Sequence, residues 1–345
     1  MVDLATDGRA TRYGSTFPAR ATHVIPSATI RARNPFALVR AAALLGLGVA
    51  KAYALVGRLR PAAIVGFGGY PSVPTVLAAT WRGVPTIIHE QNGVMGRANR
   101  MLAPRVDAIA TGFAGVLDAE PALAAKASRT GNPLRPAVIA ATAIPYVAPD
   151  PTGPLRLIVF GGSQGARIMS DIVPAAIERL EPHLRARLAI VQQAREEDLA
   201  RVRDGYGRVG IGAEVAAFFA DLPARIAAAH LVISRSGAST VAEVAAIGRP
   251  SILVPLPHAL DQDQLANANV LVNAGAAVLL RQDAFTPERL AAEITSLAAK
   301  PARLSAMAMA ARSAGAPDAA ERLADLVLSI VRGRIPGHNG ANQTR

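Results

Sequence analysis

The sequence predicts an α/β protein built on parallel sheets in two domains of ordinary size, and three observations carry that prediction. Strand-like apolar runs alternate with helical patterns along most of the 345 residues, as expected for βαβ units. The alternation lapses at an Ala- and Pro-rich stretch, 136–154, and then restarts, which marks a linker. Glycine-containing turns follow several of the strands, where open parallel sheets bind their ligands.

The clearest unit spans Leu231 to Pro255. An apolar run, Leu231 to Ile233, breaks at the turn Ser234-Arg235-Ser236-Gly237-Ala238-Ser239. A helical segment, Thr240 to Ile247, then stops at Gly248-Arg249-Pro250, and a second apolar run begins at Ser251. Where a strand end feeds a helix N-terminus, free backbone N–H groups and the helix dipole favour anions. Glu243 falls just inside that helix, beside the expected site. Thr240-x-x-Glu243 also fits a capping box, which needs no ligand, so spacing alone leaves both readings open.

Taken in order, Val2 to Thr6 reads as a short strand, and Pro35 to Leu59 as a long helix with Pro in its first turn. Its uncharged run between Arg40 and Lys51 is ten residues, too short to cross a bilayer. One reading buries this helix against the sheet. The other rests a face of Phe36, Leu44, Leu45 and Leu47, ringed by Arg31, Arg33, Arg40, Arg58 and Arg60, on anionic headgroups. Ala62 to Ser72 is a strand ending in Gly66-Phe67-Gly68-Gly69-Tyr70, whose paired glycines let backbone approach a ligand or simply make the turn. After a helix, Pro74 to Trp81, the strand Pro85 to Ile88 leads into His89-Glu90-Gln91-Asn92-Gly93. No second His lies three or four residues from His89, so a metal pair does not fit. Val106 to Thr111 is a further strand, and Thr130-Gly131-Asn132-Pro133-Leu134-Arg135 closes this half.

Beyond the linker, Leu155 to Phe160 is a strand, and Gly161-Gly162-Ser163-Gln164-Gly165-Ala166 opens a helix. That turn suits a phosphate, although no Gly-Lys-Ser/Thr follows to make it a Walker loop. Leu188 to Gln192 and Ala213 to Phe219 read as strands, and Leu265 to Ala274 as a helix. Asp261-x-Asp263 precedes that helix and reads as an acidic N-terminal cluster rather than a metal pair. Ala-rich helices run to about Arg332, and the polar stretch Gly333 to Arg345 is expected to be disordered.

Composition narrows the classes. With no cysteine, disulfides, thiolate metal sites and cysteine nucleophiles are excluded. No uninterrupted apolar stretch reaches the roughly 18 residues of a membrane span, and the N-terminus lacks the pattern of a secretory signal, so a cytoplasmic location is expected. Residues 1–135 hold 16 Lys+Arg against 6 Asp+Glu, whereas residues 136–345 hold 21 against 19. A basic half beside a near-neutral half points to an anionic partner. A membrane surface fits better than nucleic acid, because aromatics are only 4% and no nucleic-acid-binding signature is present.

GFGGYPS, HEQNGVMGRANR, GNPLR, GGSQGAR, RSGASTVAE and the DQDQLANA run occur in this order. Together they resemble the MurG family of UDP-N-acetylglucosamine:undecaprenyl-diphospho-muramoylpentapeptide N-acetylglucosaminyltransferases, from Val2 to about Leu326. The resemblance implies a GT-B fold of two Rossmann-like domains facing across a cleft. An acceptor and membrane-side domain over 1–135 is joined by a C-terminal helix, about 316–332, and a UDP-GlcNAc-binding domain covers 155–315. It implies attack by the muramoyl C4 hydroxyl on GlcNAc, with inversion to a β1→4 link and loss of UDP, at the cytoplasmic side of the inner membrane. Cell-wall and division machinery would be its neighbours, and no cofactor or metal is implied.

By motif, the family's donor positions fall on Asn92, Arg135, Ser163, Phe219, Ala238, Ser239, Thr240, Val241, Ala242, Glu243 and Gln264. The resemblance then favours the ribose hydroxyls for Glu243, diphosphate for Ser163, uracil contact for Phe219 with backbone reading the base edge, and GlcNAc hydroxyls for Gln264. Gly68, Gly69 and Tyr70 fall on the acceptor side, with Glu90 and then His89 as candidates for acid/base or acceptor-positioning work. Family members begin with a strand and a GGTGGH-type turn ahead of the VDLAT-like strand, and these are missing from this sequence. The expectation is a start assigned too far downstream rather than a truncated product that is inactive or unstable, and the alternative function is a truncated non-catalytic UDP-sugar binder or assembly partner. Unpaired sheet edges are expected where that strand would lie.

Overall fold

Every strand pairing among the described residues is parallel. The computed structural model describes residues 1–8, 17–28, 35–162, 165–257 and 262–333. It divides into two units: Met1–Gln91, Met95–Thr130 and the segment from Glu321 form the first, and Asn92–Val94 with Gly131–Ala320 form the second. The tail expected to be disordered, 333–345, lies outside the described residues except for Gly333, which ends the last helix.

In the first unit, β1 (Leu4–Thr6) pairs with β2 (Thr22–Val24), and a separate four-stranded sheet has the order β3-β4-β5-β6. These four are Ile64–Gly66, Thr86–Glu90, Ala108–Thr111 and Ala127–Arg129. All five residues of β4 are buried because the sheet is covered on both faces. Successive side chains alternate: Ile88 packs with Val73, Val76, Met95 and Leu102, while Ile87 joins Ala108, Ala110 and Leu323. Leu323 belongs to the last helix (Ala319–Gly333), which also lays Leu326, Val327 and Ile330 against this face.

Helix α1 (Pro35–Leu59) takes the limits the sequence pattern gives. Its Ala52 and Leu55 pack with Ile25 and with Ala78 of α2 (Gly69–Trp81). A Cβ on Gly48 would stand 2.0 Å from the Pro26 carbonyl oxygen, so only glycine allows this approach. The opposite face is open, with Phe36, Val39 and Leu47 exposed. The uncharged run is short, but the helix from Leu38 to Leu59 is long and apolar enough to cross a membrane by length and composition. α3 (Arg97–Leu102) completes the unit's principal helices.

The second unit begins differently from the expected linker. Within 136–154, Pro136–Ala141 forms helix α4, with Val138 and Ala141 buried. Proline at the first helical position and alanine within suit a helix rather than a free tether. The residues after it are anchored by the fully buried Arg249, whose guanidinium donates to the carbonyls of Ile144, Ala227 and Ile247.

The six-stranded sheet has the order β12-β11-β10-β7-β8-β9. In chain order these are β7 (Leu155–Phe160), β8 (Leu188–Gln193), β9 (Ala213–Ala216), β10 (Leu231–Ser234), β11 (Ser251–Leu253) and β12 (Ala277–Leu279). The chain steps outward from β7 to β9, then returns to place β10 on the other side of β7. Where the direction reverses, the connections at the strand C-termini diverge and leave a crevice. Leu155, Leu157, Val159, Ile190, Leu231, Ile233 and Ile252 form the core against α5 (Arg167–Glu178), α6 (Leu199–Arg208) and the C-terminal helices. Helix α7 (Leu222–Ala228) leads into β10. β9 stops at Ala216, so Phe219 lies on the following connection rather than in the strand.

Candidate active site

The reversal between β7 and β10 sets the turn Gly161-Gly162 beside the turn Arg235-Ser236-Gly237. Glycine is required at Gly161, where a Cβ would stand 2.2 Å from the Ala166 nitrogen, and Gly162 has φ +88°. Ser163 lies outside the described residues. The helix after β10, α8 (Ala238–Ile247), starts two residues earlier than the pattern suggests, with Gly237 at its N-cap and no side chain capping it. Thr240 is therefore inside the first turn and the capping-box reading fails.

Glu243 instead pairs with Arg135, whose Nη2 lies 3.0 Å from Oε1 and 3.2 Å from Oε2. Burial raises the Glu243 pKa above the usual carboxylate range, and the Arg135 guanidinium partly offsets that. Arg135 is 62% exposed while Glu243 is 12% exposed, so an exposed cation faces a sheltered carboxylate. Ala238, Ser239 and Thr240 supply the uncapped first turn of α8, where backbone N–H groups and dipole favour an anion. Val241 is fully buried and Ala242 nearly so, which limits them to backbone and packing roles.

Asn92 and Gln264 join this group through residues the sequence reading did not single out. Asn267, fully buried on α9 (Asp263–Asn273), donates to Asn92 Oδ1 at 3.1 Å and to the Ser236 carbonyl at 3.1 Å. Its own Oδ1 accepts from the Gly93 amide at 2.6 Å. Ser236 Oγ donates to the Gln264 carbonyl, and Gln264 Oε1 accepts from the Leu256 amide. Arg235, buried and with its pKa lowered by that burial, donates to the Val254 and Pro255 carbonyls and to Gln282. The period-3.6 spacing of Gln264 and Asn267 puts both on one helix face, which was the available signal.

Phe219 sits on the connection after β9. Its ring is buried, with the Arg225 guanidinium 4.5 Å over one face, whereas Phe218 is the exposed ring. A uracil contact at Phe219 therefore falls to its backbone.

In the first unit, Gly68 and Gly69 both have positive φ, +75° and +68°, and Gly68 caps α2. Tyr70 sits in the first turn of that helix. His89 and Glu90 lie within β4 rather than on the loop after it, and both are buried. Glu90 Oε2 accepts from the Gly96 amide at 2.9 Å and from Asn99 Nδ2 at 2.8 Å. Asn99 Nδ2 also donates to the His89 carbonyl, and Gln91 Nε2 donates to the Phe67 carbonyl. The His89 ring packs against Phe67 with centroids 5.7 Å apart. The Glu90 side chain thus ties the end of β4 to the start of α3, while the His89 ring packs against the turn that carries Phe67. Among the described residues no three His, Asp or Glu side chains are grouped to hold a metal ion.

Two family descriptions match: glycosyltransferase family 28 N-terminal domain over residues 2–111 and glycosyltransferase family 28 C-terminal domain over 156–323. The UDP-N-acetylglucosamine--N-acetylmuramyl-(pentapeptide) pyrophosphoryl-undecaprenol N-acetylglucosamine transferase of Bradyrhizobium sp. (strain ORS 278) is 63% identical over 94% of this chain and 89% of its own length. The chain belongs to the MurG family. Its fold is that of the two-domain GT-B glycosyltransferases. The like-named MurG relative from Rhodopseudomonas palustris (strain BisA53) is 61% identical over 95% of this chain and 88% of its own. The Acinetobacter baumannii MurG crystal structure matches with a TM-score of 0.76 at 30% identity, covering 94% of this chain and 90% of that one. The calicheamicin glycosyltransferase CalG4, at 15% identity and a TM-score of 0.62 over 97% and 91% of the two chains, shares the fold alone.

Proposed function

We propose that this MurG-family glycosyltransferase transfers GlcNAc from UDP-GlcNAc to undecaprenyl-diphospho-muramoylpentapeptide, making a lipid-linked disaccharide precursor of peptidoglycan. The observation that carries this reading is the 63% identity over 94% of the chain to a transferase named for that donor and acceptor. A non-catalytic binder has no comparable support.

The geometry suits the donor's chemistry. The sheltered Glu243 offers two acceptor oxygens to vicinal ribose hydroxyls. Binding there competes with Arg135, which then becomes available to an anion. The uncapped first turn of α8 and the glycine turn after β7 face charge that grows on the diphosphate as the sugar departs. Gln264 retains amide groups for sugar hydroxyls, and the Phe219 backbone reads the base edge. The acceptor C4 hydroxyl attacks the anomeric carbon from the face opposite UDP, which gives inversion. Glu90 acts by positioning, because its carboxylate holds Gly96 and Asn99. Gly68, Gly69 and Tyr70 form the neighbouring acceptor-side turn.

The open face of α1 rests on the anionic cytoplasmic leaflet of the inner membrane, close to cell-wall and division machinery. Exposed Phe36, Val39 and Leu47 and the basic balance of residues 1–135 support that seat. The function is tested by labelled GlcNAc transfer to a lipid-linked muramoylpentapeptide analogue. Formation of a β1→4 disaccharide lipid with release of UDP is expected. Binding of UDP-GlcNAc with no transfer to the acceptor would overturn the enzymatic reading.

A further inference from the structure

β8 ends in two glutamines, Gln192 and Gln193, both buried. Alternation along the strand sends their side chains to opposite faces. Gln192 Oε1 accepts the hydroxyl of Tyr206, in the core under α6. Gln193 reaches the connections at the strand C-termini. Its Oε1 accepts from the Gly161 amide at 3.2 Å, and its Nε2 donates to the Ala217 carbonyl at 3.1 Å. One planar amide therefore joins the glycine turn after β7 to the segment after β9 that carries Phe219.

The surroundings leave this arrangement little slack. A Cβ on Gly165 would stand 2.9 Å from Arg195 Cγ, so the far end of the glycine turn sits directly on the exit of β8. The Ala194 amide bonds to the Ala216 carbonyl at 3.0 Å, fixing that exit to the end of β9. Gln193 is the side chain that completes the link at the level of the turns themselves.

We infer that Gln193 is a positioning residue for the nucleoside diphosphate, setting the spacing between the turn that meets the phosphates and the segment that meets the base. This rests on the donor reading above. A nucleoside diphosphate spans both subsites as one molecule, so an error in their separation weakens the whole ligand more than either end alone. Site groups must be held within about 0.5 Å of productive geometry by their supports. An amide suits this because its acceptor and donor lie at fixed separation and meet one N–H and one C=O.

The test uses the full chain and three variants. Gln193→Met removes both hydrogen bonds at similar volume, and Gln193→Glu keeps an acceptor for Gly161 but turns an anion toward the Ala217 carbonyl. Gln192→Met removes the Tyr206 partner and serves as the control for core damage. Calorimetric titration with UDP and with uridine, Tm, and transfer kinetics are read for each. Both Gln193 variants are expected to weaken UDP roughly tenfold or more, to leave uridine within about threefold, and to raise KM for UDP-GlcNAc but not for the lipid acceptor. Gln192→Met is expected to lower Tm while UDP affinity holds. The inference is overturned if the Gln193 variants bind UDP as the parent does. It is also overturned if UDP and uridine weaken equally, or if Gln192→Met loses UDP affinity to the same extent. Failure of the parent chain to bind UDP would remove the donor reading and this role together.

Discussion

Glu90 is a buried carboxylate and Glu243 a half-buried one, and their partners assign them different work. Glu90 accepts from one backbone amide and one Asn side chain, so it fixes a loop. Glu243 faces one exposed cation, Arg135, which a ligand can replace. General-base catalysis contributes about 10²–10⁴-fold, which separates the two possible roles of Glu90 by measurement. Gln in its place keeps an oxygen acceptor for Gly96, so Glu90→Gln should lower kcat by less than about tenfold and leave both limbs of the kcat/KM pH profile in place. Loss of a thousandfold or more, with disappearance of the acidic limb, would return Glu90 to the role of base. Both carboxylates stand out in the sequence because motif and chemistry coincide there. Asn99, Asn267 and Gln193 are not legible there, because a buried amide shows its role through the distant groups it meets, such as the His89 and Ser236 carbonyls and the Gly161 amide.

At the scale of elements, the limits of α1 and β7 are written in the sequence by proline, charge and an unbroken apolar run. The stretch 136–154 was harder, since its structure depends on distant residues. Helix α4 packs through Val138 and Ala141, and the residues behind it hang on Arg249. The same corner holds His230, whose Nδ1 accepts from the Arg156 amide while its carbonyl accepts the Tyr146 hydroxyl. Burial, and then Arg156 and Arg249, lower the His230 pKa from 6.5 to about 4. The unfolded chain therefore binds a proton between those values that the native state does not. The stabilisation is complete above 6.5 and is lost as pH falls toward 4. Thermal unfolding followed from pH 7.5 to 4.5 should show Tm falling across this window. A His230→Gln variant should flatten that slope; an equally steep slope in the variant would place the titration elsewhere.

At the scale of the molecule, charge and apolar surface are concentrated in the same half of the sequence. Residues 1–135 carry 16 basic against 6 acidic side chains, and that half also exposes Phe36, Val39, Leu47 and Trp81. Either property alone binds a membrane weakly. Burying one large apolar side chain contributes about 1.5–3 kcal/mol, and each basic residue near an anionic surface adds about 1 kcal/mol before screening. Together they predict a peripheral association that salt weakens without abolishing, because the Debye length falls from about 10 Å at 0.1 M to about 3 Å at 1 M. Co-sedimentation with phosphatidylglycerol vesicles should therefore drop at least tenfold between low and high salt, and binding to phosphatidylcholine vesicles should be weak throughout. Replacing Val39 and Leu47 with Asp should reduce the remaining binding in high salt while leaving UDP affinity intact. Salt-independent binding would make the apolar face of α1 sufficient by itself, and unchanged binding of the double variant would move the contact away from this helix.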